Sequence, residues 1–259
     1  MILPNLAALR IGADADEEQS VRDILALYRN GQRLLLYHPE DANNRALVLA
    51  GVTRNGYDLQ NAPNFTNDWE VVMAAVQQEG HALIFASQEL RADRDIVLAA
   101  VRNYGQALAY ASKELQGDLE VAYAAIENNG EALFSASDEL RDDKEFVIAA
   151  VTSEGTHYCT LTFASYRLQD DPEVVLRAVE VNGQALEHAS ERLRNDETIV
   201  LAAVNHDGNA LQYASRRLKN TVITVQAAVR QNPAALHFAS PDLREWFQMY
   251  PQAAAPLPT

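Results

Sequence analysis

One cysteine, Cys159, is the chain's whole thiol content, so it forms no internal disulfide, builds no thiolate zinc cluster and needs no oxidising compartment. Basic residues are scarce: 21 Lys and Arg stand against 36 Asp and Glu, a formal net charge of -15. A nucleic-acid groove needs a clustered excess of Lys and Arg, and an anionic membrane surface attracts the same residues, so both partner classes are disfavoured. No run approaches the roughly 18 consecutive apolar residues of a membrane span. The opening MILPNLAALR has no basic n-region and too short an apolar stretch for a signal peptide. The expected location is the cytoplasm, or an exported state reached by a signal not visible in the sequence. There is no HExxH, no glycine-rich phosphate loop and no GxSxG, and the six histidines, at 38, 81, 157, 188, 206 and 237, show no paired helical spacing. Neither a metal nor a cofactor is expected.

What the chain does have is a period. With 48% hydrophobic and 22% charged residues it has globular composition. Glycines at 31, 56, 80, 105, 130, 155, 183 and 208, then Pro233 in the same slot, are separated by 25, 24, 25, 25, 25, 28, 25 and 25 residues. An Ala-Ser pair ends seven residues after the slot at Ser87, Ser112, Ser137, Ser190, Ser215 and Ser240, and Ser165 alone is displaced, by three. Such a period marks a quasi-linear array in which each unit touches its neighbours. We count about nine units, regular from Asp68 onward. The expected fold is an all-α solenoid of helix-pair repeats, with residues 1–66 as degenerate repeats or N-terminal cap, 67–245 as the regular array, and 246–259 as C-terminal cap and disordered tail.

Each regular unit opens on a helix-start signal, an aspartate followed two residues later by an acid: Asp93/Asp95, Asp118/Glu120, Asp143/Glu145 and Asp171/Glu173, with Pro172 at the first helical position. An apolar run such as Ile96 to Val101 follows, apolar almost all round and therefore expected between neighbouring helices. Alanines at 75, 100, 125, 150, 178, 203 and 228 recur at one position, which predicts close approach of helix backbones. The glycine then stops the helix, as the residue that takes a left-handed cap without strain. In GQALAYASKEL, Leu108, Ala111 and Leu115 fall on one face of a second, shorter helix. Ser240-Pro241-Asp242-Leu243 reads as a cap followed by proline at the first helical position, so the serine starts a separate turn. Trp246, Phe247, Met249 and Tyr250 crowd the end and are expected to seal the last core.

These units, DPEVVLRAVEVNGQALEHAS among them, resemble an uncharacterised bacterial tandem-repeat family, a domain of unknown function found in bacterial proteins that include secreted effectors of intracellular pathogens. The resemblance spans about residues 66 to 245 and implies a helical repeat fold, with no activity or catalytic residue to carry over. A weaker similarity, to leucine-rich repeat variants, implies a right-handed superhelix. The residues around Cys159 and the first two units depart from both patterns.

Three sets of residues are candidates for function. The first is a ladder two residues before each repeat serine: Phe85, Tyr110, Ser135, Phe163, His188, Tyr213 and Phe238. At 100° per residue it lies about 200° from the unit's leucine, so it should point away from the pair's own core. Phe85, Tyr110, Phe163, His188, Tyr213 and Phe238 are then expected to bind a protein or peptide partner, basic partners being favoured by the acidity; the same rings could instead fill the groove between units. Beside them, Ile84, Ala109, Phe134, Thr162, Glu187, Gln212 and His237, and the residues after each glycine (His81, Gln106, Glu131, Thr156, Gln184, Asn209), vary as a reading surface or a plain solvent face would. The second candidate is the insertion Thr156 to Phe163, where His157 and Cys159 would have to supply a thiol nucleophile and its base; a partner-contacting bulge or a tolerated irregularity are the other readings. The third is the row of carboxylates, for which helix capping is the simplest account, with Arg91, Arg141, Arg194, Lys219 and Arg244 expected nearby. The leading expectation is a non-catalytic scaffold. An enzyme with a thiol site, and a structural or accessory module of an effector, are the alternatives.

Overall fold

The aspartates that open the units do take helix N-cap positions. In the computed structural model, which describes residues 42–153 and 160–250, the Oδ1 atoms of Asp68, Asp93, Asp118 and Asp143 accept the backbone N–H three residues on, at 3.1, 3.0, 3.0 and 2.8 Å. Asp171 and Asp196 each accept two such N–H groups. A carboxylate here satisfies donors that the helix cannot and sits at the positive end of its dipole. The second acid of each pair lies in the first turn, so Asp93 caps and Asp95 does not.

The chain divides after Asn128 into two compact units. The first contains α1 (Arg45–Arg54), α2 (Trp69–Gln78), α3 (Arg94–Asn103) and α4 (Leu119–Asn128). Successive helices pack side by side. The second contains α5 (Lys144–Thr152), α6 (Pro172–Val181), α7 (Glu197–His206) and α8 (Val222–Gln231), stacked the same way, and a closing helix α9 (Pro241–Met249). Among the described residues there are no strands, and the fold is an all-α repeat solenoid. Residues 44–65, read from the sequence as part of the degenerate start, take the same helix and glycine-led turn as the later repeats. The unit from Gln19 to Pro39 and the tail after Tyr250 lie outside the described residues.

Val97, Ala100 and Val101 of α3 are fully buried, as are Val175 and Val179 of α6 and Val200, Ala203 and Val204 of α7. The recurring alanine is buried, and at Ala75, Ala100, Ala203 and Ala228 its carbonyl oxygen lies against the glycine of the preceding repeat. The helices end before the glycine, on a residue in extended conformation: Tyr104 has φ -146° and ψ 101°, and its N–H closes on Ala100 O at 2.8 Å. Glu79, Asn182, Asp207 and Asn232 end their helices alike.

This corrects the expectation of a left-handed glycine cap, and the structure supplies another reason for the residue. A Cβ on Gly80 would stand 2.3 Å from Ala100 O and 2.8 Å from Tyr104 Cβ in the next repeat, and one on Gly208 would stand 2.4 Å from Ala228 O. The backbone also bridges forward: Gly80 N–H donates to Asn103 Oδ1 at 2.7 Å, Gly105 N–H to Asn128 Oδ1 at 2.7 Å, and Gly208 N–H to Gln231 Oε1 at 2.6 Å. The glycine is what lets the next helix lie against the turn.

A second correction concerns the return segment. Gly80–Phe85, Gly105–Tyr110, Gly130–Ser135, Gly183–His188, Gly208–Tyr213 and Pro233–Phe238 are 3-10 helices, not α-helices. A ten-residue α-helix is about 15 Å long, and six residues of 3-10 helix span about 12 Å where α would span about 9 Å. An extended alanine, such as Ala111 at φ -65° and ψ 160°, completes the return. The serine that follows ties one repeat to the one before: Ser112 N–H donates to Arg91 O at 2.8 Å and Ser215 N–H to Arg194 O at 2.9 Å. Its Oγ then accepts the N–H of the leucine three residues on, at 3.2 to 3.4 Å, and opens the closing turn.

Candidate functional site

The 3-10 geometry decides where the ladder goes. With three residues per turn, positions i and i+3 eclipse, so each ladder residue except Phe163, which lies over the buried Thr160, lies over the second residue after the glycine. That residue is a buried alanine: Ala82 beneath Phe85, Ala107 beneath Tyr110, Ala185 beneath His188, Ala210 beneath Tyr213 and Ala235 beneath Phe238. The wheel drawn at 100° per residue therefore turned the ladder too far outward. Phe85, Tyr110, Ser135, Phe163, His188, Tyr213 and Phe238 are all half-buried.

In the first unit Tyr110 packs back on the preceding repeat. Its ring meets His81 edge to face at 5.1 Å, with the hydroxyl 3.3 Å from His81 Nδ1. Tyr57 and Tyr104 stand at 5.7 and 5.8 Å from the same imidazole, and Tyr104 Oη donates to Gln106 Oε1 at 2.6 Å. Burial first, and then the neighbouring tyrosines Tyr104 and Tyr57, push the Tyr110 hydroxyl above its ordinary pKa. In the second unit Phe134 meets Phe163 edge to face at 5.2 Å across two repeats. His237 and Phe238 pair within one turn at 5.7 Å. Such ring pairs add about 0.5–1.5 kcal/mol beyond the area they bury.

The eclipsed pair formed by the first and fourth residues after the glycine makes another face, and it is the open one. Ile84, Ala109, Phe134, Thr162, Glu187 and His237 are exposed, Ile84 by 40% and Phe134 by 63%, and Gln212 is half-buried. His81, Gln106, Glu131, Gln184 and Asn209 are half-buried beside them. Thr156, His157 and Cys159 lie outside the described residues. Of the insertion, Thr160 and Leu161 are buried, Thr162 is exposed and Phe163 belongs to the ladder.

The carboxylates cap, and in alternate repeats a basic residue at the start of the preceding helix holds both of them. Arg45 reaches Asp68 at 2.6 Å and Glu70 at 2.8 Å; Arg94 reaches Asp118 and Glu120; Lys144 reaches Asp171 at 3.0 Å and Glu173 at 2.7 Å. The Arg45 guanidinium holds the Asp68 carboxyl below its usual range. The sequence reading missed these clamps; the signal was a basic residue directly after the N-cap of the preceding helix, Arg45 after Asn44, Arg94 after Asp93 and Lys144 after Asp143. It had looked instead to Arg91, Arg141 and Arg194, which lie in the closing turn with their Nε atoms buried; of these Arg141 pairs with Asp138. At the same position Gln116 donates to the carbonyls of Leu108, Ala109 and Ala111 at 3.2 to 3.3 Å, and Lys219 to Gln212 O at 2.5 Å.

At the end of the second unit Phe247 is buried and Trp246 packs on it edge to face at 5.0 Å, while Met249 and Tyr250 are exposed. Among the described residues no group of three or more His, Cys, Asp or Glu is placed to hold a metal ion. No helix there is long and apolar enough to cross a membrane. No curated protein and no solved structure matches the chain. A family model does, in five tandem stretches, residues 44–91, 68–116, 118–169, 155–194 and 196–244. Four of the five begin at a helix N-cap, at Asn44, Asp68, Asp118 and Asp196, and all five end within a segment opened by a repeat serine. The chain belongs to this family, the domain of unknown function DUF4116.

Proposed function

We propose that the protein is a non-catalytic scaffold whose 3-10 turns receive a protein or peptide partner. The observation that carries this reading is the division of labour on each turn. One face is eclipsed over buried alanine and holds an aromatic ring in place; the adjacent face is exposed and changes chemistry from repeat to repeat, through Ile84 and Ala109 in the first unit and Phe134, Thr162, Glu187 and His237 in the second. Rigid rings flanked by varied side chains are what an interface with a few strong anchors uses. Phe85 and Tyr110 would anchor in the first unit, and Phe163, His188, Tyr213 and Phe238 in the second. The net charge of -15 favours a partner with basic segments by steering and complementarity. The reading holds for a scaffold in the cytoplasm and for an exported one alike.

The test is crosslinking capture in the native cell, comparing the parent with an Ile84→Ala, Phe134→Ala variant on the exposed face. Loss of a specific crosslinked partner with an unchanged melting temperature supports the reading. Capture that is undiminished both in this variant and in a Tyr110→Ala, Tyr213→Ala variant counts against it.

A further inference from the structure

The residue after the N-cap holds the first helical position of each repeat, and in α1, α3 and α5 it reaches the acids that open the next repeat. Arg45, at that position in α1, takes Asp68 Oδ2 on Nε at 2.6 Å, Asp68 Oδ1 on Nη2 at 3.0 Å and Glu70 Oε2 on Nη2 at 2.8 Å. Arg94, at that position in α3, takes Asp118 and Glu120 in the same manner. Between them stands α2, where the equivalent residue is Trp69, 47% exposed. The acids it should serve are Asp93 and Asp95. Asp93 Oδ1 caps α3 at 3.0 Å from Ile96 N, Asp95 is exposed, and among the described residues no Lys or Arg side chain pairs with either.

Two acids at a helix start would by themselves mean capping. Here the identity of the missing group is written in the repeats on either side, where the same two positions grip one guanidinium. An indole in place of the arginine cannot neutralise the pair, but it offers what a foreign guanidinium uses best, a flat face to stack on beside a fork of carboxylate oxygens.

We propose that Trp69, Asp93 and Asp95 form a seat for an arginine side chain of a protein partner. The guanidinium lies on the indole and donates to both carboxylates, reproducing from outside the contact that Arg45 and Arg94 make from within. The seat is separate from the open face of the 3-10 turns and does not depend on the function proposed for that face.

The test uses the full chain and N-acetylargininamide as probe, at constant ionic strength, read at the Trp69 indole N–H resonance. A saturable shift is expected, with binding about threefold weaker in Asp95→Asn, the scale of one exposed charge pair. Trp69→Arg supplies the seat with its own guanidinium; it should melt above Trp69→Gln, and Asp95→Asn should cancel that gain. Ile84→Ala and Phe134→Ala should leave the titration unchanged, so failure of the turn surface and failure of the seat are told apart. A shift that is linear in probe, or equal in the parent and Asp95→Asn, overturns the proposal, as does a Trp69→Arg protein no more stable than Trp69→Gln.

Discussion

Gly80→Ala isolates the reason for the glycine that sets the period. If the residue were needed for a left-handed backbone, alanine would be strained in its own φ; if it is needed for close approach, the strain falls on the next helix. The added Cβ would stand 2.3 Å from Ala100 O and 2.8 Å from Tyr104 Cβ. Ordinary contact requires roughly 3.3 Å or more, so the start of one repeat and the end of α3 must separate by the better part of an ångström. Overpacking of that size costs about 1–3 kcal/mol. The separation also weakens the 2.7 Å bond from Gly80 N–H to Asn103 Oδ1, worth about 1 kcal/mol. Restricting the unfolded chain returns about 0.4–1 kcal/mol. The net expectation is a loss of about 1–3 kcal/mol, concentrated at one junction because repeat arrays carry their stability locally. Urea unfolding measures the total, and amide exchange locates it, with faster exchange expected in residues 100–104 than in α1. A variant as stable as the parent, or one whose protection falls evenly along the first unit, would refute the close-approach argument.

Asp93→Ala removes a helix cap without touching a salt bridge and should cost about 1 kcal/mol in thermal or urea unfolding. Gln116→Ala removes a buried amide that serves three carbonyls and should cost about 1–3 kcal/mol, more than the same change at exposed Gln88. The Asp68 carboxyl is held below its ordinary pKa by Arg45, so its share of stability is present above the unfolded carboxylate value and is lost as pH falls through the folded one. Stability curves of Asp68→Asn and the parent should therefore differ at neutral pH and converge in acid; curves that stay parallel would remove Asp68 from the account.

The period, the aspartate caps, the close-packed alanines and the serine that opens a new turn were all legible, because each is a single residue type with a local physical cause. Asp93 caps wherever an apolar run follows, and Ser240 before Pro241 has few other readings. The return segment was misread because its apolar spacing, Leu108 to Ala111, fits a period of 3.0 as well as one of 3.6. What separates the two is the distance the segment must span, and that is set by the helix it runs back along. The glycine was misread for a related reason: the atoms that exclude a side chain at Gly80 belong to Ala100 and Tyr104, a repeat away. The Arg45 and Arg94 clamps likewise join residues 23 to 26 positions apart, a separation at which charge order along the chain is uninformative unless the stacking register is known.

Once the register is known, it sorts the positions of a repeat by how much variation in side chain each accepts. On a 3-10 turn the glycine and the leucine three residues on, such as Gly105 and Leu108, share a face that is buried outright. The alanine and the ladder residue share a second, and the alanine's burial restrains the ring above it, so that face accepts Phe, Tyr, His or Ser but varies little in direction. The third face is the most exposed of the three, although its first position still touches the neighbouring repeat, as His81 does Tyr110 and Gln184 does Asp207. It is there that the chain places His81 with Ile84, Gln106 with Ala109, Glu131 with Phe134 and Gln184 with Glu187, pairs that differ in charge, size and polarity while the rest of each turn is nearly invariant. The first helical position behaves in the same way, running Arg45, Trp69, Arg94 and Leu119 in the first unit. Packing constrains these two addresses less tightly than the glycine, alanine and leucine, so under the proposed function it is the differences between repeats there, beside the anchoring rings of the ladder, that a partner would read.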